Sequence, residues 1–333
     1  MTEAVQPGPP RAATRTPASR LTVGIATYNG RPLLEIVLPS LRAQRFRDFR
    51  VVVVDDASSD DTVAWLAEHW PDVEVLAHSD NRGVTAALNS CLNAGADSPF
   101  VALLNNDVEL APDCLGELMA TLEAHPEAGV ACGKLLDYER RELLDGAGDV
   151  YSWGGEANRR GQGQRDVGQY ERPEEIFSAC GAAAVYRREA LREVGPFDGR
   201  FFANYEDVDW CFRAQLAGWS ARYTPAAVAY HVGSATLGKG PSDFSLYHNW
   251  RNAIWVIVKN WPARTLLRHA HQVAFVQARN LAIAVRRGRL TLWLRVWRDV
   301  LAAGPAVLEQ RRGIQRSRTR PLSELDRLIG TER

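Results

Sequence analysis

Apolar residues in the first half of the chain fall into short runs that stop at polar turns. Leu21 to Ala26 reads LTVGIA and ends at Thr27-Tyr28-Asn29-Gly30. Arg50 to Val54 carries four consecutive valines and ends in Asp55-Asp56. Val73 to Ala77 is followed by Ser79-Asp80-Asn81-Arg82-Gly83, and Phe100 to Leu104 stops at Asn105-Asn106-Asp107. Short apolar runs bounded by turns predict strands, and an unbroken valine run predicts burial on both faces, hence a covered parallel sheet. Helical periodicity fills the gaps. Pro32 suits the first turn of a helix reaching Leu41. A second helix carries Val63, Leu66 and Ala67, and a third, Val84 to Ala94, ends at Gly95. Leu115 to Leu122 is amphipathic, and Val130 to Leu136 is a further strand. This alternation predicts an open α/β sheet.

Beyond residue 136 the pattern breaks. Residues 137–176 are rich in Gly, Arg and Glu and read as a long irregular excursion, a length usual for functional loops. Ala179 to Ala184 is a run of small residues where a backbone can approach a ligand. Asp207 to Ala217 is predicted helical, stopped by Gly218, and a strand within Tyr223 to Tyr230 precedes His231. Residues 1–20, with four prolines, read as a disordered tail, and 321–333 as a second tail. The main domain is placed at 21–245.

Charge changes the picture at the carboxy end. Residues 1–261 carry 25 Lys and Arg against 35 Asp and Glu, whereas 262–320 carry 13 Arg against two acids. On a helical wheel, Arg268, Gln272, Arg279 and Arg286 share one side. Leu290 to Leu301 adds Trp293 and Trp297 beside Arg295 and Arg298. Residues 246–320 are therefore read as a basic amphipathic helical region. Its expected partner is an anionic membrane surface, with tryptophans at headgroup depth. Packing on the acidic domain or a homodimer is the second reading, and nucleic acid is not expected. No stretch is long and apolar enough for a transmembrane helix. Five widely spaced cysteines read as small core residues of a reducing compartment.

The chemistry lies in the acidic strand ends: Asp55 and Asp56, Asp107, and the group Glu206, Asp207 and Asp209. Such acids at the carboxyl edge of a parallel sheet face the ligand crevice. Helix capping explains one or two of these turns but not the series. Several acids in one crevice call for a cation, and hard oxygen ligands suit a divalent metal. The P-loop, dinucleotide, zinc-helix and nucleophile-elbow motifs are absent.

Ala26 to Gly30, Val51 to Thr62, Asn81-Arg82-Gly83, Leu103 to Val108 and Gly195 to Arg213, in this order, resemble the family-two inverting glycosyltransferases. The resemblance covers roughly residues 21–235. It implies the GT-A fold, with a mostly parallel central sheet, here followed by the carboxy-terminal helices. It also implies a nucleotide-diphospho-sugar donor and Mg²⁺ or Mn²⁺. Tyr28 then matches the aromatic against the nucleotide base, Asp56 the acid for the pyrimidine N–H, and Asn106 a ribose contact. Arg82 approaches the phosphates. Asp107 and His231 match metal ligands, and Asp207 the general base, with Glu206, Asp209 and Arg213 in support. The excursion, together with Arg251-Asn252 near Lys259-Asn260, looks closest to rhamnosyltransferase-like members acting on saccharide or lipid-linked acceptors. That implies cytoplasmic work at the inner face of the plasma membrane. Gln215 is followed by Leu216-Ala217-Gly218-Trp219, without the Arg of the processive synthases, so a single addition is expected. A sugar nucleotidyltransferase and a non-catalytic sugar-nucleotide module are the alternatives. The first lacks its Gly-rich loop after the opening strand.

Overall fold

The expected strands form, and their polar ends reach one edge of a single sheet. The structure is a computed structural model describing residues 19–233 and 242–330. Strands β1 (Leu21–Thr27), β2 (Phe49–Asp55), β3 (Glu74–Ala77) and β4 (Phe100–Asn105) alternate with helices α1 (Arg31–Arg42), α2 (Thr62–His69) and α3 (Val84–Ala94). β5 (Val108–Leu110) and α4 (Cys114–Ala124) lead into β6 (Ala128–Asp137). The excursion contains β7 (Leu144–Gly146), β8 (Asp149–Tyr151), β9 (Ala157–Arg159) and β10 (Glu174–Ile176), so it is not irregular throughout. β11 (Ala183–Arg187), α5 (Arg188–Val194), α6 (Glu206–Ala217) and β12 (Ser220–His231) complete the half of the chain that builds the sheet.

The main sheet has the order β10-β12-β6-β11-β4-β1-β2-β3, with β5 on β12 and β7 on β6. β1 to β4 run parallel to one another, and β6 runs parallel to β12. β11 lies antiparallel between β4 and β6. Side chains alternate across each strand. Val53 therefore joins a core with Leu34, Leu38 and Leu118 from α1 and α4, while Val52 and Val54 join Ala87, Cys91 and Trp210 from α3 and α6. Both faces of β2 are covered, which is what its valine run requires. All five cysteines are buried.

A third core belongs to the carboxy-terminal helices α7 (Asp243–Asn260), α8 (Ala263–Arg286), α9 (Leu290–Ala302), α10 (Gly304–Arg316) and α11 (Leu322–Leu328). α7 is its hub, with Trp250, Ile254, Trp255 and Ile257 buried. Two expectations change here. The stretch read as a tail after 320 forms α11, and Leu325 and Ile329 are buried in this core. Trp293 and Trp297 pack against the same core rather than facing outward. In these helices, the large apolar side chains that face solvent among the described residues are Phe244, Leu267, Phe275, Val285, Leu290, Leu294, Leu301 and Leu308. Among the described residues, no helix is long and apolar enough to cross a membrane. The expected amino-terminal tail, apart from residues 19 and 20, lies outside the described residues.

Candidate active site

Parallel registry brings three strand ends together. Thr27 lies opposite Asp55, and Ala26 lies opposite Asn105. The residues that follow, Tyr28, Asp56 and Asn106-Asp107, line a cleft of about 460 Å³ at the carboxyl edge of the sheet. This is where open α/β sheets place ligands. Asn204, Glu206, Arg159 and His231 complete the polar wall, and Phe202 and Phe244 close one side.

Each expected donor residue has a defined setting. Tyr28 is 44% exposed, leaving its ring available to a flat ligand. The Asp56 carboxylate is buried and accepts from the amides of Arg82 (3.0 Å) and Gly83 (2.8 Å) and bonds His78 Nδ1 (2.7 Å). It thus ties the end of β2 to the loop before α3. Gly83 is needed there, since it has φ 85° and a Cβ would fall 2.5 Å from the Phe202 ring. The Arg82 side chain is exposed and outside the cleft lining. Asn106 donates to Thr27 Oγ1 (3.0 Å). Most neighbouring acids serve local bonds. Asp55 accepts from the Ser58 amide, and Asp60 from the Thr62 amide. Asp61 and Asp113, which sit at helix starts, make no side-chain cap bond.

β5 pairs with β12 so that His231 lies opposite Val108, the residue after Asp107. His231 Nε2 is 3.2 Å from Asp107 Oδ1, and Nδ1 is 2.7 Å from Asp145 Oδ2. Burial pushes the imidazole toward the neutral form. The bonds to Asp107 and Asp145 outweigh burial and raise its pKa to about 9. A carboxylate holding the far nitrogen of an imidazole is the usual support for a metal-ligating histidine. Asp107 and His231 therefore fit a divalent ion, with Asp145 orienting the histidine. Among the described residues no three His, Cys, Asp or Glu side chains converge as a cage. Water and phosphate oxygens would supply the remaining positions.

Arg159 and Asp145 come from the excursion and were not singled out from sequence. Arg159 ends β9, lines the cleft, pairs with Asp145 and stands 3.3 Å from His231 Nδ1. Their strands are three residues long, too short for any periodicity to show.

The second carboxylate group sits at the start of α6. The Asp207 carboxylate accepts from the amides of Gly181 (2.9 Å) and Val208 (2.7 Å). A Cβ on Gly181 would lie 2.9 Å from Asp207 Oδ2, which explains the glycine at this position. Glu206 lines the cleft, Asp207 is not among its lining residues, and Glu206 Oε2 is buried without a partner. Burial and the charge of Asp207 push Glu206 to about 8. Burial raises Asp207 as well, and the Gly181 and Val208 amides and then Arg159 offset this only in part.

Asp209 and Arg213 lie beneath the cleft. Asp209 accepts from Arg213 Nε (2.9 Å), Lys259 Nζ (2.8 Å) and Asn260 Nδ2 (2.9 Å), and Lys259 also reaches Asp198 (2.8 Å). The loop before α6 is bent, with positive φ at Phe202, Asn204 and Tyr205. Asn252 Nδ2 lies within bonding distance of the carbonyls of Phe201 (3.1 Å), Ala203 (2.8 Å) and Asn204 (2.7 Å). Arg251 donates to the carbonyls of Arg200 and Phe201. Both residue pairs noted in the sequence, 251–252 and 259–260, thus hold the segment that presents Glu206 and Asp207. Gln215, from the position compared with the processive motif, is buried and donates to the carbonyls of Ile176 and Phe177.

Comparison with known proteins bears on this geometry. The profile of the family described as glycosyl transferase family 2 matches residues 22–195. A Mycobacterium tuberculosis protein named N-acetylglucosaminyl-diphospho-decaprenol L-rhamnosyltransferase is 28% identical over 252 residues, 69% of this chain and 81% of the relative. A Campylobacter jejuni GalNAc(5)-diNAcBac-PP-undecaprenol beta-1,3-glucosyltransferase is 33% identical over 103 residues, 30% of this chain and 33% of its own. Among solved structures, GalNAc-T7 with UDP, GalNAc and Mn²⁺ superposes with a TM-score of 0.61 at 15% identity, covering 74% of this chain and 49% of that one. The Pyrobaculum calidifontis mannosyltransferase PcManGT with GDP-Man and Mn²⁺ gives 0.55 at 20% identity, covering 91% and 86%. The shared architecture is the GT-A fold.

Proposed function

The chain belongs to glycosyl transferase family 2, and from that premise we propose that it transfers a sugar, with inversion, from a nucleotide-diphospho-sugar to a lipid-linked saccharide. The observation that carries this reading is the cleft itself. An exposed aromatic, a hydroxyl-binding Asn, an Asp–His pair and an arginine stand at one sheet edge beside two carboxyls of α6. The rhamnosyltransferase relative, aligned over 69% of this chain, supports a lipid-diphosphate acceptor and rhamnose as a candidate sugar.

In this reading Tyr28 lies against the base, Asp56 faces the pyrimidine edge and Asn106 meets the ribose. Arg159 donates to the phosphates in the two-pronged manner for which a guanidinium is suited, while Arg82, from outside the cleft lining, approaches them from the rim. Asp107 and His231 would hold Mg²⁺ or Mn²⁺, which when bound neutralises charge growing on the departing diphosphate. Asp207, whose carboxylate accepts from two amides, takes the proton of the attacking acceptor hydroxyl. Glu206, held protonated, donates a hydrogen bond from the cleft wall. The hydroxyl oxygen attacks the anomeric carbon as its bond to the diphosphate oxygen breaks on the opposite face, which inverts the centre. Asp209 and Arg213 hold the helix in place beneath.

The helices α8 to α10 support attachment to an anionic membrane at the cytoplasmic face. Leu267, Phe275 and Leu301 are 79%, 70% and 71% exposed. Arg264, Arg286, Arg312, Arg316 and Arg318 have no ion-pair partner among the described residues, whereas Arg279 and Arg320 pair with Glu156 and Glu175 of the acidic half. Apolar side chains flanked by free arginines match an interfacial surface. Flotation with anionic vesicles, weakening as salt rises, tests this part; protein left in solution at low salt contradicts it. The transfer itself is tested by incubating a panel of nucleotide-sugars with Mn²⁺ and a lipid-diphosphate saccharide. An inverted anomeric linkage by NMR is expected. A retained anomeric configuration, or no turnover with any donor, overturns the reading.

A further inference from the structure

A second hollow, of about 340 Å³, lies between α7, α8 and the β8–β9 turn. It adjoins the catalytic cleft through shared backbone. Asn158 lines the hollow and Arg159 the cleft; Tyr205 lines the hollow and Glu206 the cleft. The bond from Asn204 Nδ2 to Asn249 Oδ1 (2.9 Å) joins the two walls. The hollow therefore lies directly behind the part of the cleft wall that carries Asn204 and Glu206.

Its lining is divided in character. Leu246, Trp250 and Ile283 give it an apolar wall. Arg279 and Arg287 stand along α8, Arg279 paired with Glu156 and Arg287 without an ion-pair partner among the described residues. Round α8, Phe275 lies about 40° and Val285 about 120° from Arg279, and both face solvent. A ligand that satisfies all three features has a sugar toward the cleft, an anionic group at the arginines, and an apolar chain leading to the exposed face.

We propose that this hollow is the acceptor site for a lipid diphosphate. Arg279 and Arg287 take the diphosphate, the α7–α8 wall takes the first part of the chain, and the sugar extends past Tyr205 to Glu206 and Asp207. This rests on the transferase reading, and it locates the acceptor. It also gives the exposed apolar face a purpose: the helix that lies on the membrane is the one that grips the lipid's head.

Calorimetry of the full chain with farnesyl diphosphate, in EDTA so that metal-dependent binding in the donor cleft is excluded, tests the site. Saturable binding is expected, with inorganic diphosphate and farnesol each at least about tenfold weaker. Arg287→Glu and Arg279→Glu, both at exposed positions, should each weaken it at least about tenfold, the size of a lost hydrogen bond to a charged group. Both variants should still bind nucleotide-sugar with Mn²⁺. Binding unchanged in both variants, displacement by a nucleoside diphosphate, or no binding by the wild type overturns the proposal. A wild type that binds farnesyl diphosphate as expected but no nucleotide-sugar contradicts the transferase reading instead.

Discussion

Replacing Asn252 with Ala removes the side chain that secures the loop entering α6. Asn252 is fully buried; its two amide protons serve the carbonyls of Phe201, Ala203 and Asn204, and its Oδ1 accepts from Arg251 Nε at 2.9 Å. Two neutral hydrogen bonds contribute about 1 kcal/mol each, and a bond from a charged guanidinium about 1.5–3 kcal/mol. The expected loss is therefore about 3.5–5 kcal/mol, since the freed groups are enclosed and stay unpaired. The loop adds a local consequence. Phe202, Asn204 and Tyr205 hold positive φ, and non-glycine residues in such regions store about 1–3 kcal/mol each, held only by their surroundings. Without Asn252 these residues should relax toward ordinary backbone and carry Glu206 away from the cleft. Urea unfolding followed by circular dichroism measures the first effect, with the slope unchanged. Hydrogen exchange over residues 200–206 measures the second and should rise well before global unfolding. A stability change under about 1 kcal/mol with unaltered exchange in this loop refutes the reasoning.

Asp207→Asn should cut transfer by two or more orders of magnitude, the scale of a missing general base, while calorimetric donor affinity stays near wild type; near-normal turnover removes Asp207 from that role. Arg159→Met should weaken a nucleoside diphosphate about tenfold and leave the bare nucleoside unaffected, so an equal loss for both ligands excludes phosphate contact. Acid stability follows from Asp198 and Asp209. Burial pushes both carboxyls up, but Arg200 and Lys259 at Asp198, and Lys259 and Arg213 at Asp209, outweigh it and hold both below the ordinary range. Carboxyls depressed in the fold stabilise above the unfolded pKa of about 3.9 and lose that contribution as pH falls. Unfolding free energy should therefore drop below about pH 4, and Lys259→Met, measured by the same titration, should flatten the drop; parallel curves contradict this.

The catalytic half was legible because its signals are local. Four apolar runs stop at polar residues, and parallel pairing alone brings Tyr28, Asp56 and Asp107 to one edge. His231 was placed by resemblance, and its proximity to Asp107 comes from the β5–β12 pairing. Asp145 and Arg159 stayed hidden because their strands carry no period and reach the cleft only through tertiary contacts. Helix α11 escaped notice for a similar reason. Seven residues are too few to hold a helix alone, and burial of Leu325 stabilises it. Leu290 to Leu301 read as amphipathic with Trp293 and Trp297 beside arginines, but only the packing around α7 decides which face turns inward. At the starts of α2 and α4, Asp61 and Asp113 pair with Arg31 and Arg45 and make no cap bond, while Asp60 accepts from the Thr62 amide.

The central claim is that the cleft at the ends of β1, β2 and β4 holds a diphosphate donor through Asp107. Calorimetry of the matching nucleoside diphosphate against wild type and Asp107→Ala, each with Mn²⁺ and with EDTA, tests it most directly. Binding confined to the wild type with Mn²⁺ is the predicted result, with His231→Ala intermediate. Equal affinity in EDTA and Mn²⁺, or in the wild type and Asp107→Ala, contradicts the account.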